Sequence, residues 1–254
     1  MRSYTSRSLF CLLILMGGKV NAAHHVAVDT ILPSKILNLT NWKITLPIST
    51  RPDGVADDIK QPQLSIYSDK EYFFANKKGD GVCFKARVDG ATTKGSNFPR
   101  SELREMTNNG KGNADWSSSS GTHTLFIDQA VTHLPDVRDQ IVIGQIHNAD
   151  EYIIFFRLEH KRLLVSVNHG GTFTLDDNYR LGARFNVKFV VNNDETQCYY
   201  NGDLKYTYKG NYSGAYFKAG AYVQSSCKGK KTTPGELCDA YGEVEIYNVW
   251  VKHE

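Results

Sequence analysis

The stretch Gly214-Ala215-Tyr216-Phe217-Lys218-Ala219-Gly220-Ala221-Tyr222-Val223-Gln224 decides how the rest of the chain is read. Taken as a β-strand, it parts its side chains onto two faces. Tyr216, Lys218, Gly220, Tyr222 and Gln224 fall on one face, and Phe217, Ala219, Ala221 and Val223 on the other. The second set is that of a core-facing strand. The first carries two phenols, an ammonium and an amide around a glycine that leaves clearance, so this face reads as the floor of a binding groove.

Similar strand signals recur along the chain. Trp42, Ile44 and Leu46 alternate with Lys43 and Thr45 before Pro47 ends the run. Further candidates cover 72–75, 82–88, 100–106, 121–130, 141–147, 152–159, 162–168, 171–174, 185–191, 197–201, 203–208 and 242–251. Turn dipeptides such as Asn109-Gly110, Gly170-Gly171 and Asn201-Gly202 punctuate them. Residues 49–63, with Pro52-Asp53-Gly54 and Pro62, read as an irregular loop. So many strands without intervening helical periods argue against a βαβ sheet. The expected fold is all-β, a β-jelly-roll sandwich of two antiparallel sheets with a concave groove. A chain of 254 residues, 41% hydrophobic and with 21 glycines, 14 tyrosines and 12 phenylalanines, suits one such domain. No repeat or linker divides residues 38–254, and residues 23–37 read as a short leader.

The first 22 residues have the pattern of an export signal. Arg2 and Arg7 precede the apolar run 9–16, and Val20-Asn21-Ala22 offers small residues for cleavage. The run is too short to span a bilayer. A secreted or periplasmic protein without membrane attachment is expected. Removing Arg2, Arg7 and Lys19 takes the formal charge from +3 to zero, so an anionic partner must be argued from local clusters. Cys83, Cys198, Cys227 and Cys238 remain after Cys11 departs, an even number suited to an oxidising compartment. Cys227 and Cys238 bracket a short polar loop and are the expected disulfide. Cys83 and Cys198 either pair or stay as buried thiols.

Two further strands carry chemistry. In Pro99-Arg100-Ser101-Glu102-Leu103-Arg104-Glu105-Met106, alternation puts Arg100, Glu102 and Arg104 on one face. Glu102 is expected to hold both guanidiniums, leaving spare donors for an anion. In Gln140-Ile141-Val142-Ile143-Gly144-Gln145-Ile146-His147, the residues Ile141, Ile143, Gln145 and His147 share a face, opposite Val142, Gly144 and Ile146. If the three strands are neighbours in one sheet, Arg, Gln, His, Lys and two Tyr line a common groove. Metal-ligand spacing is absent from them.

Arg-Ser-Glu-Leu-Arg (100–104), Gln-Ile-His (145–147) and Tyr-Phe-Lys-Ala-Gly-Ala-Tyr-Val-Gln (216–224), in that order, resemble the three signature motifs of alginate lyases of polysaccharide lyase family 7. Asn-Trp-Lys-Ile-Thr-Leu-Pro (41–47) resembles that family's first strand, and the resemblance covers roughly residues 37–252. It implies a jelly-roll enzyme that cleaves a polyuronate by β-elimination, leaving a 4,5-unsaturated end, without metal or organic cofactor.

Under that resemblance, Gln145 and Arg100 neutralise the uronate carboxylate and so stabilise the enolate-like intermediate. His147 abstracts the C5 proton and Tyr222 protonates the leaving 4-oxygen. Arg104, Lys218, Tyr216, Gln224 and Glu102 bind and position substrate. Ile146 in Gln-Ile-His tilts the expectation toward guluronate-containing blocks.

A non-catalytic polyuronate-binding jelly roll, or a lyase for another polyuronate such as glucuronan, are the competing readings. No strand offers the closely spaced acid pair of a sandwich glycosidase, and no Gly-x-Ser-x-Gly elbow is present. His24-His25, His160 and His169 read as surface residues, and the basic loop 228–231 as a solvated rim rather than a nucleic-acid site. The expected partner is an anionic polysaccharide bound by a monomer.

Overall fold

A computed structural model describes residues 31–254 of the chain. The expected signal segment, with Cys11, and His24-His25 lie outside the described residues. Period-2 alternation underlies most of the strands. In Thr122–His133 and Phe185–Asn192, buried and half-buried residues alternate almost without fault, because one face of each strand meets the core and the other meets water.

In chain order the strands are β1 (Trp42–Thr45), β2 (Asp58–Ile59), β3 (Phe73–Ala75), β4 (Val82–Arg87), β5 (Arg100–Thr107), β6 (Gly112–Asn113), β7 (Thr122–His133) and β8 (Gln140–His147). They continue with β9 (Tyr152–Glu159), β10 (Arg162–Val167), β11 (Gly171–Asp176), β12 (Phe185–Asn192), β13 (Glu195–Tyr200), β14 (Asp203–Lys209), β15 (Tyr216–Val223) and β16 (Tyr241–His253). One sheet runs β11-β10-β9-β8-β15-β5-β1-β2, with β6 paired to β5. The other runs β14-β13-β12-β7-β16-β4-β3. Every ladder is antiparallel, giving the jelly-roll sandwich expected from the sequence. The loop 49–63 contributes the short β2, too brief to leave a periodic signal.

The core fills the space between the sheets. Phe156 of β9 stacks on Phe189 of β12 across it, ring centroids 4.1 Å apart, and Phe73 meets Phe84 edge-on. Leu37, within the expected leader, is buried in the same cluster, and Pro33–Lys35 form a single 3-10 turn just before it. Cys227 and Cys238 are bonded, whereas Cys83 and Cys198 are separate buried thiols. The disulfide-closed loop is tied back by Glu236, whose carboxylate accepts from the backbone N–H groups of Asp136, Val137 and Arg138 and from Ser225. Among the described residues, no helix is long and apolar enough to cross a membrane.

Two bulges adjust the middle of the larger sheet. The β8–β9 register slips by one residue between Val142 and Gly144, and the β15–β8 register slips between Ala219 and Tyr222. As a result Ile141 pairs with Val223 and joins the core cluster alongside Ile143, while Val142 pairs with Tyr222 and lies outside that cluster. The face expected from simple alternation, Ile141 with Ile143, Gln145 and His147, is therefore broken. An extra residue in one strand reverses the facing of everything beyond it.

Gly220 lies at this bulge with φ +142°, a conformation L side chains rarely adopt. A Cβ there would stand 2.5 Å from the Ser101 carbonyl oxygen and 2.8 Å from Glu102 Cα. The glycine serves close backbone approach between β15 and β5, rather than clearance for a ligand. Gly220→Ala is expected to lower stability by about 1–3 kcal/mol or more in denaturant unfolding, since the strained backbone and the contact must both relax.

Candidate active site

β8, β15 and β5 are adjacent, and β15 is the middle strand. Lys218 of β15 pairs with Gln145 on one side and Arg104 on the other, Tyr216 pairs with His147, and Tyr222 pairs with Arg100. Residues directly opposite in a ladder share a face. The three chemistry-bearing stretches therefore converge on one surface of the larger sheet, the one turned away from the core.

Glu102 is the centre of that surface, and only 1% of it is exposed. Its Oε2 accepts from Arg100 Nη1 at 2.9 Å and from Lys218 Nζ at 2.5 Å, and its Oε1 accepts from Gln145 Nε2 at 2.5 Å. Arg104 is not among its partners, contrary to the sequence expectation. The Arg104 guanidinium instead lies over the Tyr216 ring at 3.9 Å and donates to Asn113 Oδ1 at 2.7 Å. Lys218, supplied by the neighbouring strand, takes the place that Arg104 was expected to fill.

One buried carboxylate thus holds two buried cations. Burial opposes the charge of Glu102, but Lys218 and Arg100 outweigh it and keep the carboxyl below its usual range. Burial and the Arg100 charge push the Lys218 ammonium down to about 8. The cluster keeps an excess of positive charge with little water to screen it.

His147 stands at the end of this row. Its Nδ1 lies 2.5 Å from the backbone oxygen of Asn148, which can only accept, so the proton sits on Nδ1 and Nε2 keeps its lone pair. The Tyr216 hydroxyl donates to the same carbonyl at 2.9 Å, and its ring stacks on the imidazole. Burial, then the charge of Lys218, pushes the His147 pKa down to about 4. The imidazole is neutral across the ordinary pH range and poised to accept a proton at Nε2.

Tyr222 occupies the opposite end of β15. The Arg100 guanidinium lies 3.7 Å from its ring centroid, and its hydroxyl is 3.0 Å from Ser96 Oγ. Gln224, just past the strand, turns its amide onto the carbonyls of Tyr222 and Val223. Ile146 is fully buried in the core cluster, opposite Phe217. Among the described residues, no group of three or more His, Cys, Asp or Glu could hold a metal ion.

The matching family model, described as alginate lyase, covers residues 37–253. The chain belongs to the alginate lyase family. The solved alginate lyase AlgAT5 from polysaccharide lyase family 7 is 51% identical, with a TM-score of 0.83 over 89% of this chain and 100% of its own. An alginate lyase from Corynebacterium sp. is 41% identical, with a TM-score of 0.82 over 89% of this chain and 99% of its own. An alginate lyase of Klebsiella pneumoniae is 32% identical over 157 residues, 52% of this chain and 50% of that relative's length. The chain therefore matches about half the length of that curated relative.

Within this alginate lyase fold, several supports of the site were not foreseen from the sequence. Glu105 follows Arg104 and faces the other way, 2% exposed. It accepts from Trp116 Nε1 at 3.0 Å, from the Phe217 backbone N–H at 2.8 Å and from His253 Nε2 at 2.5 Å. It pins the start of β15 from behind while Glu102 organises the front. Asn148 works through its backbone, and Asn113 and Ser96 sit in or beside irregular segments, so none gives a periodic signal. Glu102→Ala is expected to cost about 3–5 kcal/mol in chemical denaturation, because two buried cations lose their counter-charge. Arg104→Ala, which breaks no buried pair, should change stability by about 1 kcal/mol or less in the same measurement.

Proposed function

We propose that this alginate lyase cleaves the 1,4-linkage of alginate by β-elimination, acting as an exported single-domain enzyme with the domain over residues 38–254. The observation that supports this reading is the buried pair of cations on one carboxylate, set beside a neutral histidine with a free Nε2. An excess of buried positive charge is stabilised by an incoming anion, and a uronate brings a carboxylate next to the carbon whose proton must leave.

In the proposed reaction Arg100 and Gln145 engage that carboxylate, with Lys218 adding its charge. Proton abstraction from C5 turns the carboxylate toward a dianionic, enolate-like form, so fixed donors there bind the transition state more tightly than the ground state. His147 Nε2 takes the C5 proton. The electron pair of that C–H bond forms the C4–C5 double bond as the C4–O bond breaks. Tyr222 gives its hydroxyl proton to the departing oxygen, and the product carries a 4,5-unsaturated uronate end. Tyr216 and Arg104 grip the polymer near His147. Guluronate-containing blocks are the favoured substrate; because Ile146 points into the core, its influence passes through the placement of Gln145 and His147.

Near-ultraviolet absorbance reports the conjugated product directly. His147→Ala and Tyr222→Phe should each abolish most of the absorbance rise with polyguluronate while binding and folding persist, and near-wild-type rates in either would overturn its role. No rise by the native protein on any alginate block, with a rise on glucuronan, would reassign the substrate.

The two shifted groups set an expected pH profile. His147 must be neutral and Lys218 charged, so kcat/KM should fall below about pH 4 as the imidazole protonates and above about pH 8 as the ammonium loses its proton. An acid limb centred near 6.5, the ordinary histidine value, would contradict the burial of His147 as the cause.

A further inference from the structure

Ser96 lies in the connection between β4 and β5, far in sequence from Tyr222. Its side-chain oxygen has three partners. The Phe98 carbonyl oxygen is at 2.9 Å, the Phe98 backbone nitrogen at 3.1 Å and the Tyr222 hydroxyl at 3.0 Å. A serine hydroxyl has one hydrogen and two lone pairs. The carbonyl can only accept, so it takes the serine hydrogen, and the Phe98 N–H fills one lone pair. The remaining lone pair therefore receives the Tyr222 hydrogen. With all three contacts made at once, Tyr222 donates to Ser96; when the serine turns its hydrogen from the Phe98 carbonyl to the phenol oxygen, the Tyr222 hydrogen is released toward the groove.

The segment that holds Ser96 is itself tied down. Ala91 N–H donates to the Pro47 carbonyl, Ser96 N–H donates to the Thr93 carbonyl, and Phe98 and Pro99 are buried just before β5 begins. The Tyr222 ring has the Arg100 guanidinium against its face. Ring and hydroxyl are thus held by two independent contacts, one a cation and one a hydroxyl that can turn.

We propose that Ser96 is a positioning residue for Tyr222, holding the phenol hydrogen in the free enzyme and supplying a hydrogen-bond donor to the phenolate oxygen once that hydrogen has passed to the leaving sugar oxygen. This rests on the reading of Tyr222 as the proton donor. The Tyr222 O–H swings from Ser96 to the departing sugar oxygen; its O–H bond breaks and an O–H bond forms on the sugar. The C5 proton goes to His147 Nε2, and the pair from the broken C4–O bond stays on the sugar oxygen. Negative charge remains on Tyr222. The Ser96 hydroxyl then turns from the Phe98 carbonyl to the phenolate, where a hydrogen bond to a charged oxygen is stronger than one to a neutral carbonyl. With Arg100 against the ring, the phenolate has two stabilising partners, and the same serine restores the starting arrangement when Tyr222 is reprotonated.

The test is steady-state kinetics on polyguluronate for Ser96→Ala, Ser96→Thr, Tyr222→Phe and the double variant Ser96→Ala/Tyr222→Phe. Ser96→Ala should lower kcat by about 10- to 100-fold, the effect of one hydrogen bond to a charged group, with KM changed by about threefold or less. Ser96→Thr, which keeps the hydroxyl, should recover most of the loss. Removing Ser96 in the Tyr222→Phe background should cost nothing further, because the group it serves is gone. Should Ser96→Ala fail to fold by circular dichroism, Ser96→Cys keeps the volume with a poor donor and should show the same loss of kcat. Full kcat in Ser96→Ala, or in Ser96→Cys where that variant replaces it, or an equal loss with and without the Tyr222 hydroxyl, would overturn the proposal. Near-wild-type turnover by Tyr222→Phe alone is a separate outcome: it overturns the donor role of Tyr222, and the role of Ser96 falls with it.

Discussion

A single buried carboxylate, Glu102, holds the functional surface of this protein together. It accepts from Arg100, Lys218 and Gln145, which come from three adjacent strands. Two cations taken out of water would be strongly unfavourable alone, and one carboxylate makes them tolerable without cancelling them. The residual positive charge is what an anionic sugar can satisfy. It also helps keep His147 neutral, because a second nearby positive charge is disfavoured. The proposed anion binding and the proposed base therefore rest on the same electrostatic arrangement.

That arrangement depends on backbone devices in the sheet below it. Gly220 allows β15 to approach β5 closely, and the bulges beside it bring Tyr222 opposite both Arg100 and Val142. On the hidden side, Glu105 binds the Phe217 N–H, Trp116 and His253, joining β15 to the last strand of the opposite sheet. Glu102 and Glu105 lie three residues apart on β5 and face opposite ways. One orders the groove and the other fastens the strand that floors it.

Ser96 and Asn148 show a different kind of support. Neither belongs to a strand, and each gives a side chain of the groove a hydrogen-bond partner that the ladder does not supply. The Asn148 carbonyl forces the His147 proton onto Nδ1, freeing Nε2, and Ser96 is the hydrogen-bond partner of the Tyr222 hydroxyl. The two side chains proposed for proton transfer are thus held by loop atoms as well as by the ladder that carries them.

Alternation in Gly214–Gln224 and in the strands of the smaller sheet was enough to read an all-β sandwich, because burial on one face imposes a period of two on the sequence. The motifs at 100–104, 145–147 and 216–224 were enough to name the family and to propose a set of side chains, which the structure brings together on three neighbouring strands. What sequence could not tell was which cation Glu102 would hold. Arg100 and Arg104 are equivalent by spacing, and only the placement of β15 beside β5 brings Lys218 closer and leaves Arg104 to Tyr216 and Asn113. The facing of Ile141 and Val142 was likewise hidden, because a bulge is a property of two paired strands and not of either alone. Sequence by itself determined which groups are present and on which kind of element. Tertiary structure decided their partners, through hydrogen bonds and ion pairs that join residues far apart in the chain.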